Sequence, residues 1–340
     1  MGGCCSTHQE TGQISANPRP DIGRTAYEEE AFQGKEVDQR AHKEVRAVRR
    51  DDGPENHAPS PDFARRIDSV PNFANAKTLA AQQNFGPYHF RNDEPEDALL
   101  PTLGPYELTT GAIYEGQWKN GQRHGRGKQY WSDGSIYEGY WRNDKANGKG
   151  RLIHADGDVY EGDWYMDKAH GKGRYVHLDG AVYDGDWIED KQHGIGSEIW
   201  PDGAKYEGQY FQGKKHGRGK FSWADGSSYE GQFKDNNIEG FGTYIWFDGR
   251  KYEGDWKDNK MEGRGVFTWV DGRRYEGEYV DDKKQGNGTF TWPDGSKFRG
   301  NWLNGKQHGR GFYTSSKGGE REGEWFEGKR TRWLDESPEK

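Results

Sequence analysis

Aliphatic residues are scarce in this sequence of 340. Leu, Ile, Val and Phe together number 45, too few to fill an ordinary globular core. Cysteine occurs twice, as Cys4 and Cys5, which leaves no disulfide framework and no cysteine-based zinc site. No run of 18 apolar residues exists, so neither a transmembrane helix nor a secretory apolar segment is expected. The 49 basic residues are outnumbered by 57 acidic ones, which argues against a nucleic-acid-binding surface. With so little cysteine, a cytosolic setting is the default expectation.

Rings and glycines are what the chain does have. Aromatic residues make up 14%, including 14 Trp, and there are 51 Gly. All the Trp lie between Trp118 and Trp333, and only eight Gly fall within residues 1–105. The chain therefore has two regimes, and aromatic packing takes the place of an aliphatic core in the second.

That second regime is a repeat. Tyr-Glu-Gly begins at Tyr114, Tyr137, Tyr160, Tyr206, Tyr229, Tyr252 and Tyr275, with Tyr-Asp-Gly at Tyr183. Phe298-Arg299-Gly300 and Arg321-Glu322-Gly323 continue the series at an unbroken step of 23 residues. With the Tyr numbered zero, a ring returns at +4, glycines at +11 and +13, rings at +15 and +17, and Asp-Gly at +19/+20. Rings and glycines alternate with period two, so each unit is two short strands with the rings on one face. Asp-Gly marks a hairpin between one unit and the next. A two-residue loop there puts +16 opposite the next Tyr. A three-residue loop keeps the rings together and is preferred. Glu at +1 and Arg or Lys at +12 belong to the opposite face, as a solvated set of charges.

The pattern Tyr-Glu-Gly-x-Trp, then His-Gly-x-Gly at His124–Gly127, His216–Gly219 and His308–Gly311, then Asp-Gly, resembles the MORN (membrane occupation and recognition nexus) repeat. It departs from that pattern at Asn147, Glu239, Glu262 and Gln285, which replace the His, and at residue 321, which lacks the leading Tyr. The resemblance implies an all-β fold, an elongated single-layer antiparallel β-meander of about ten 23-residue hairpins. It also implies a scaffold near membranes, cilia or cytoskeleton. At ~4.8 Å per strand, ten units extend to ~95 Å. One face of a single layer stays uncovered, so stability passes between neighbouring units. The open sheet edges invite pairing of copies end to end.

The expected organisation is a lipidation segment (1–10), a disordered or weakly helical linker (11–105), the array (106–333) and a tail (334–340). A helical stripe is legible at 36–50, and Phe63, Ile67, Val70 and Phe73 form a small apolar cluster. The linker either is a weakly ordered tail or lies across the first repeats.

Met1-Gly2-Gly3-Cys4-Cys5-Ser6 matches the myristoylation pattern, with Gly2 as acceptor. One such chain gives only marginal membrane attachment, and Cys4 and Cys5 supply the second signal as palmitoylation sites. The partner-binding candidates are the rings of Trp118, Trp141, Trp164, Trp187, Trp200, Trp223, Trp246, Trp269 and Trp292. Their one-sided burial leaves apolar surface for a peptide or amphipathic helix. Arg250, Lys251, Arg273, Arg274 and Lys297 lie at successive turns and offer contact with anionic lipid, beside Asp248, Asp271 and Asp294.

Other motifs carry nothing. Gly208-x4-Gly213-Lys214 and its echoes lack the Ser or Thr of a P-loop. His124, His170, His193, His216 and His308 form a column ~9.5 Å apart per unit, too sparse for a metal. No catalytic motif, metal site or cofactor site is expected. The expectation is thus a non-enzymatic scaffold, moored to the cytoplasmic face of a membrane by acyl chains, with a cytoskeletal or signalling partner. The alternatives are a structural component of the ciliary axoneme and a regulatory subunit of a lipid kinase.

Overall fold

The computed structural model describes residues 58–60, 62–90 and 99–334. Their contacts divide them into two compact units, one ending at His216 and one beginning at Gly217. Both are antiparallel sheets of hairpins, as the repeat predicts.

One repeat shows how the sequence dictates the hairpin. Residues Ser228–Lys234 form a seven-residue strand and Asn237–Ile245 a nine-residue strand. Between them, Asp235 and Asn236 take φ of 49° and 72°. Two residues of positive φ make the turn whose twist matches the strands, and Asn and Asp tolerate that region. This tight turn within the repeat is not legible from Asp-Gly, which marks the other turn. There, Trp223 N–H donates to Ser227 O and Gly226 N–H to Trp223 O, closing a three-residue loop with Gly226 at φ 89°. Phe221 then faces Tyr229 across the ladder, the register that keeps the rings together.

Three glycines per repeat have distinct causes. Gly231 and Gly242 are paired across the hairpin, and the Tyr229 ring lies over both. A Cβ on Gly242 would stand 2.2 Å from Tyr229 Oη. The third, Gly240 at +11, adopts φ 68° in a bulge where the register shifts. At the equivalent bulge, the +3 carboxylate of Asp255 accepts the freed Arg264 N–H at 2.9 Å. A Cβ on Gly263 would meet that carboxylate oxygen at 2.8 Å.

The rings assemble into one continuous stack within each unit. Each Tyr at zero is buried and donates its hydroxyl to the +3 carbonyl, as Tyr229 Oη does to Gln232 O at 3.0 Å. Trp141 stands edge-on to Tyr137 at 5.1 Å and to Tyr114 of the preceding repeat at 5.4 Å. Edge-to-face pairs at this spacing add about 0.5–1.5 kcal/mol each beyond burial. The turns clip repeats together as well. Asn259 N–H donates to Ile238 O, and Asp282 Oδ1 accepts Met261 N–H at 2.8 Å. Stability therefore couples nearest neighbours, as in other repeat arrays.

The stretch expected as a linker differs where it is described. β1 (Ala64–Arg66) pairs with β2 (Thr102–Leu108), and β2 with β3 (Ile113–Lys119), so the ladder begins before the first repeat. Helix α1 (Ala76–Phe85) starts at Asn75, whose side chain accepts Lys77 and Thr78 N–H. Local capping and contact with the sheet explain this order in a segment whose composition looks disordered. Phe63, Ile67, Val70 and Phe73 are all half-buried. The helical stripe at 36–50 lies outside the described residues.

Candidate functional site

The two faces of the sheet have different chemistry, because positions 0, +4, +9, +13 and +15 point one way and +1, +3, +12 and +14 the other. The first set makes the ring-filled core. Trp118, Trp141, Trp164, Trp187, Trp200, Trp246 and Trp269 are buried, and Trp223 and Trp292 are half-buried. Their edges are used up in neighbouring rings, and cations cap those at the repeat turns. Arg250 lies over Trp246 at 5.6 Å and Arg273 over Trp269 at 5.4 Å. The rings expected to remain open to a partner thus have little surface to offer.

The proposed anionic-lipid residues are largely neutralised. Arg250 pairs with Asp248, Lys251 with Glu253, Arg273 with Asp271, and Arg274 with Glu276, all at 2.6–2.7 Å. Lys297 is exposed. Gly2, Cys4 and Cys5 lie outside the described residues. Among the described residues no cluster of His, Cys, Asp and Glu suits a metal ion, and no helix is long and apolar enough to cross a membrane.

The opposite face carries a candidate site that the spacing of rings did not reveal. Within residues 217–334 it holds an open groove of about 850 Å³. Its floor is backbone at Gly265, Gly277 and Gly288, which pair with one another across the strands. Phe241, Arg264, Asn287 and Arg310 at +12, with Thr289 and Phe312 at +14, rise around it. Phe241 is 54% exposed. Arg299 lies over Phe312 at 4.9 Å. Arg264 and Arg310 are exposed, and among the described residues neither forms an ion pair. The sequence signal was present: the +12 and +14 columns mix cations with large apolar residues, which a purely solvated face does not require.

Within residues 58–216 the chain itself covers the same face over the repeats that begin at Tyr114 and Tyr137, whereas Ile195 at +12 of a later repeat is 57% exposed. α1 and the residues after it cross the strands. Asn75 Nδ2 donates to Ala155 O at 2.9 Å, and Ala81 and Phe85 pack on Ile153 and Val159. Arg151 at +14 donates to Gly86 O at 2.8 Å and lies 5.5 Å from both the Phe85 and Tyr88 rings. Phe90 stands edge-on to Tyr140 at 5.7 Å and lies 5.8 Å from the Arg126 guanidinium.

Two lysines in the +9 column show how the ring core treats charge. Lys215 and Glu198 are both buried, 3.4 Å apart, and Tyr210 donates to Glu198 at 2.9 Å. Lys284 instead sits among Trp269, Tyr275, Phe290 and Trp302, each about 5 Å away. Burial pushes its pKa down to about 7, with a smaller contribution from Arg273. Neither reaches the groove, because +9 points into the rings. At +17 of one repeat His177 replaces the Trp, and Asp158 accepts from the Tyr175 hydroxyl at 2.9 Å with His177 Nδ1 at 3.2 Å. Burial pushes the Asp158 pKa up, but its hydrogen bonds from His177, Leu178 N–H and Tyr175 outweigh that, and it lies well below the usual carboxylate range.

A family model described as MORN repeat matches residues 114–136, 137–159, 160–182, 183–205, 206–228, 229–249, 252–273, 275–297 and 298–320. No curated protein matches the chain. Among solved structures, the TCP10 domain of Danio rerio CPAP in complex with a peptide of Danio rerio STIL is 13% identical, with a TM-score of 0.38, over 62% of this chain and 94% of that one. Virginiamycin B lyase from Staphylococcus aureus is 15% identical, with a TM-score of 0.14, over 62% of this chain and 66% of that one.

Proposed function

The chain belongs to the MORN repeat family, and from that premise we propose that it is a non-enzymatic scaffold that holds a peptide segment of a partner protein on the ring-free face of its repeats. The observation that carries this reading is the groove in residues 217–334. An equivalent face in residues 58–216 is occupied by α1 and Phe90, so a polypeptide fits that surface. The ring face supports the role indirectly, by stiffening the sheet that presents the groove.

Placement on a membrane belongs to the same proposal. Acyl groups on Gly2, Cys4 and Cys5 anchor the scaffold to a cytoplasmic leaflet, and the support for this is the residue pattern Met-Gly-Gly-Cys-Cys-Ser. Two anchors are needed because one myristoyl chain holds a protein only reversibly.

A photo-crosslinking residue placed at Asn287, in the groove, tests the binding reading in cells. It captures a discrete partner segment, whereas the same residue at the exposed Lys297 does not. Equal capture at both positions overturns the groove as the site. Separately, Gly2→Ala releases the protein to the soluble fraction, and Cys4→Ser with Cys5→Ser leaves weak, reversible attachment. Unchanged tight attachment in both removes the acyl anchor.

A further inference from the structure

The groove repeats, at equivalent positions, an arrangement already filled inside the other unit. There, the +12 guanidinium of Arg126 lies beside the Phe90 ring, and Arg151 at +14 lies beside Phe85 and Tyr88. Three rings from one short segment thus meet two arginines of the ring-free face. In the groove the +12 column runs Arg264, Asn287, Arg310. Arg264 stands opposite Glu278 and Arg310 opposite Glu324 across the ladder, and among the described residues neither guanidinium closes an ion pair with its glutamate. The two arginines stand two repeats apart, which at ~4.8 Å per strand is ~19 Å.

A ring suits the solvent-facing side of these two guanidinium groups. A guanidinium over an aromatic face gains about 0.5–2 kcal/mol, more when water is excluded. The exposed Phe241 and the half-buried Phe312 border these arginines, which extends the contact that a ring makes and gives a carboxylate nothing.

We propose that the groove takes an extended partner segment carrying two aromatic side chains about six residues apart, the spacing that covers ~19 Å at ~3.3 Å per residue. One ring lies on Arg264 and the other on Arg310, as Phe90 lies on Arg126. This rests on the reading of the groove as a peptide site and adds the chemistry of the peptide.

The test uses fluorescein-labelled synthetic peptides and the full chain. Three probes share a Gly-Ser backbone and carry two Phe, two Leu or two Asp six residues apart. Fluorescence anisotropy is expected to give the two-Phe peptide at least ten-fold tighter binding than either control. The double variant Arg264→Ala with Arg310→Ala brings it down to the two-Leu level, and Lys297→Ala leaves it unchanged. Both arginines are exposed, and an unaltered far-ultraviolet circular dichroism spectrum confirms that the variant folds. Two-Asp binding equal to or tighter than two-Phe overturns the proposal, as does two-Phe binding that survives the double variant or no binding of the two-Phe probe. If the probes fail while crosslinking at Asn287 still captures a partner segment, the ring chemistry falls and the peptide site stands. If both fail, the peptide site falls too.

Discussion

The repeats that begin at Tyr114 and Tyr137 and those within residues 217–334 share one pattern, yet they treat the same face differently. In the first, α1 and the residues up to Phe90 lie across the strands, and Arg126 and Arg151 are engaged with rings. In the second, the equivalent surface is an open groove, and Arg264 and Arg310 have no such ring. The ring core is common to both and fixes the fold. The opposite face is free to vary, and there the two sets diverge. In these repeats the side chains that hold the sheet are largely buried and offer a partner little surface.

The sharpest way to separate the halves is the +9 lysine pair. Lys215→Met leaves Glu198 buried without its cation, which costs about 3–5 kcal/mol. Lys284→Met has the opposite sign, because it removes a buried amine that no carboxylate compensates. The pKa of Lys284 falls from 10.5 to about 7 on folding. Between those values the unfolded chain binds the proton and the folded chain does not, so wild-type stability rises with pH across that window. The variant loses this rise and gains most below pH 7. Melting temperatures from pH 6 to 10 check both signs. A destabilised Lys284→Met would break the contrast.

Next in size are substitutions that should treat the halves alike. Gly173→Ala and Gly242→Ala place a Cβ 2.3 Å from Tyr160 Oη and 2.2 Å from Tyr229 Oη. Each is expected to cost about 1–3 kcal/mol by displacing a buried ring. Chemical denaturation should find similar losses, and a neutral result in either half would mean that its Tyr is less firmly held.

Smaller and local is Arg151→Ala. It removes the bond to Gly86 O and the contacts with Phe85 and Tyr88, worth about 1–2 kcal/mol. Hydrogen exchange should quicken over 76–90 and stay unchanged over 217–334. Protection that survives at 76–90 would show that apolar packing alone holds α1.

The smallest effect concerns acid. The carboxylate of Asp158 is favoured in the folded chain, so its contribution is present above pH 4 and is lost as pH falls. Asp158→Asn should narrow the difference in melting temperature between pH 7 and pH 3 relative to wild type. An unchanged difference would assign the acid sensitivity to other carboxylates.

Much of the fold was legible in the sequence. The 23-residue step, the period of two and the placement of Phe221 opposite Tyr229 follow from rings and glycines alone. Two things did not. The tight turn at Asp235-Asn236 has no fixed sequence sign, since Met166 and Glu189 take the same positive φ elsewhere. The groove was hidden because the Trp drew attention to the ring face. Residues at +12 change from Arg126 to Phe241 to Asn287, so the column that defines the site looks like noise beside the invariant rings. That the segment before the array lies across the first repeats was one of two readings the sequence left open, because contacts of Ala81 and Phe85 with Ile153 and Val159 are long in sequence and composition does not register them.

Hydroxyl-radical footprinting of the full chain tests the central contrast most directly. Phe241 should be labelled fast and Tyr140 slowly, with Tyr140 rising towards Phe241 only when Arg151→Ala loosens the covering segment. Equal labelling of Phe241 and Tyr140 in the wild-type chain would contradict the account, since the ring-free face would then be open, or closed, at both places alike.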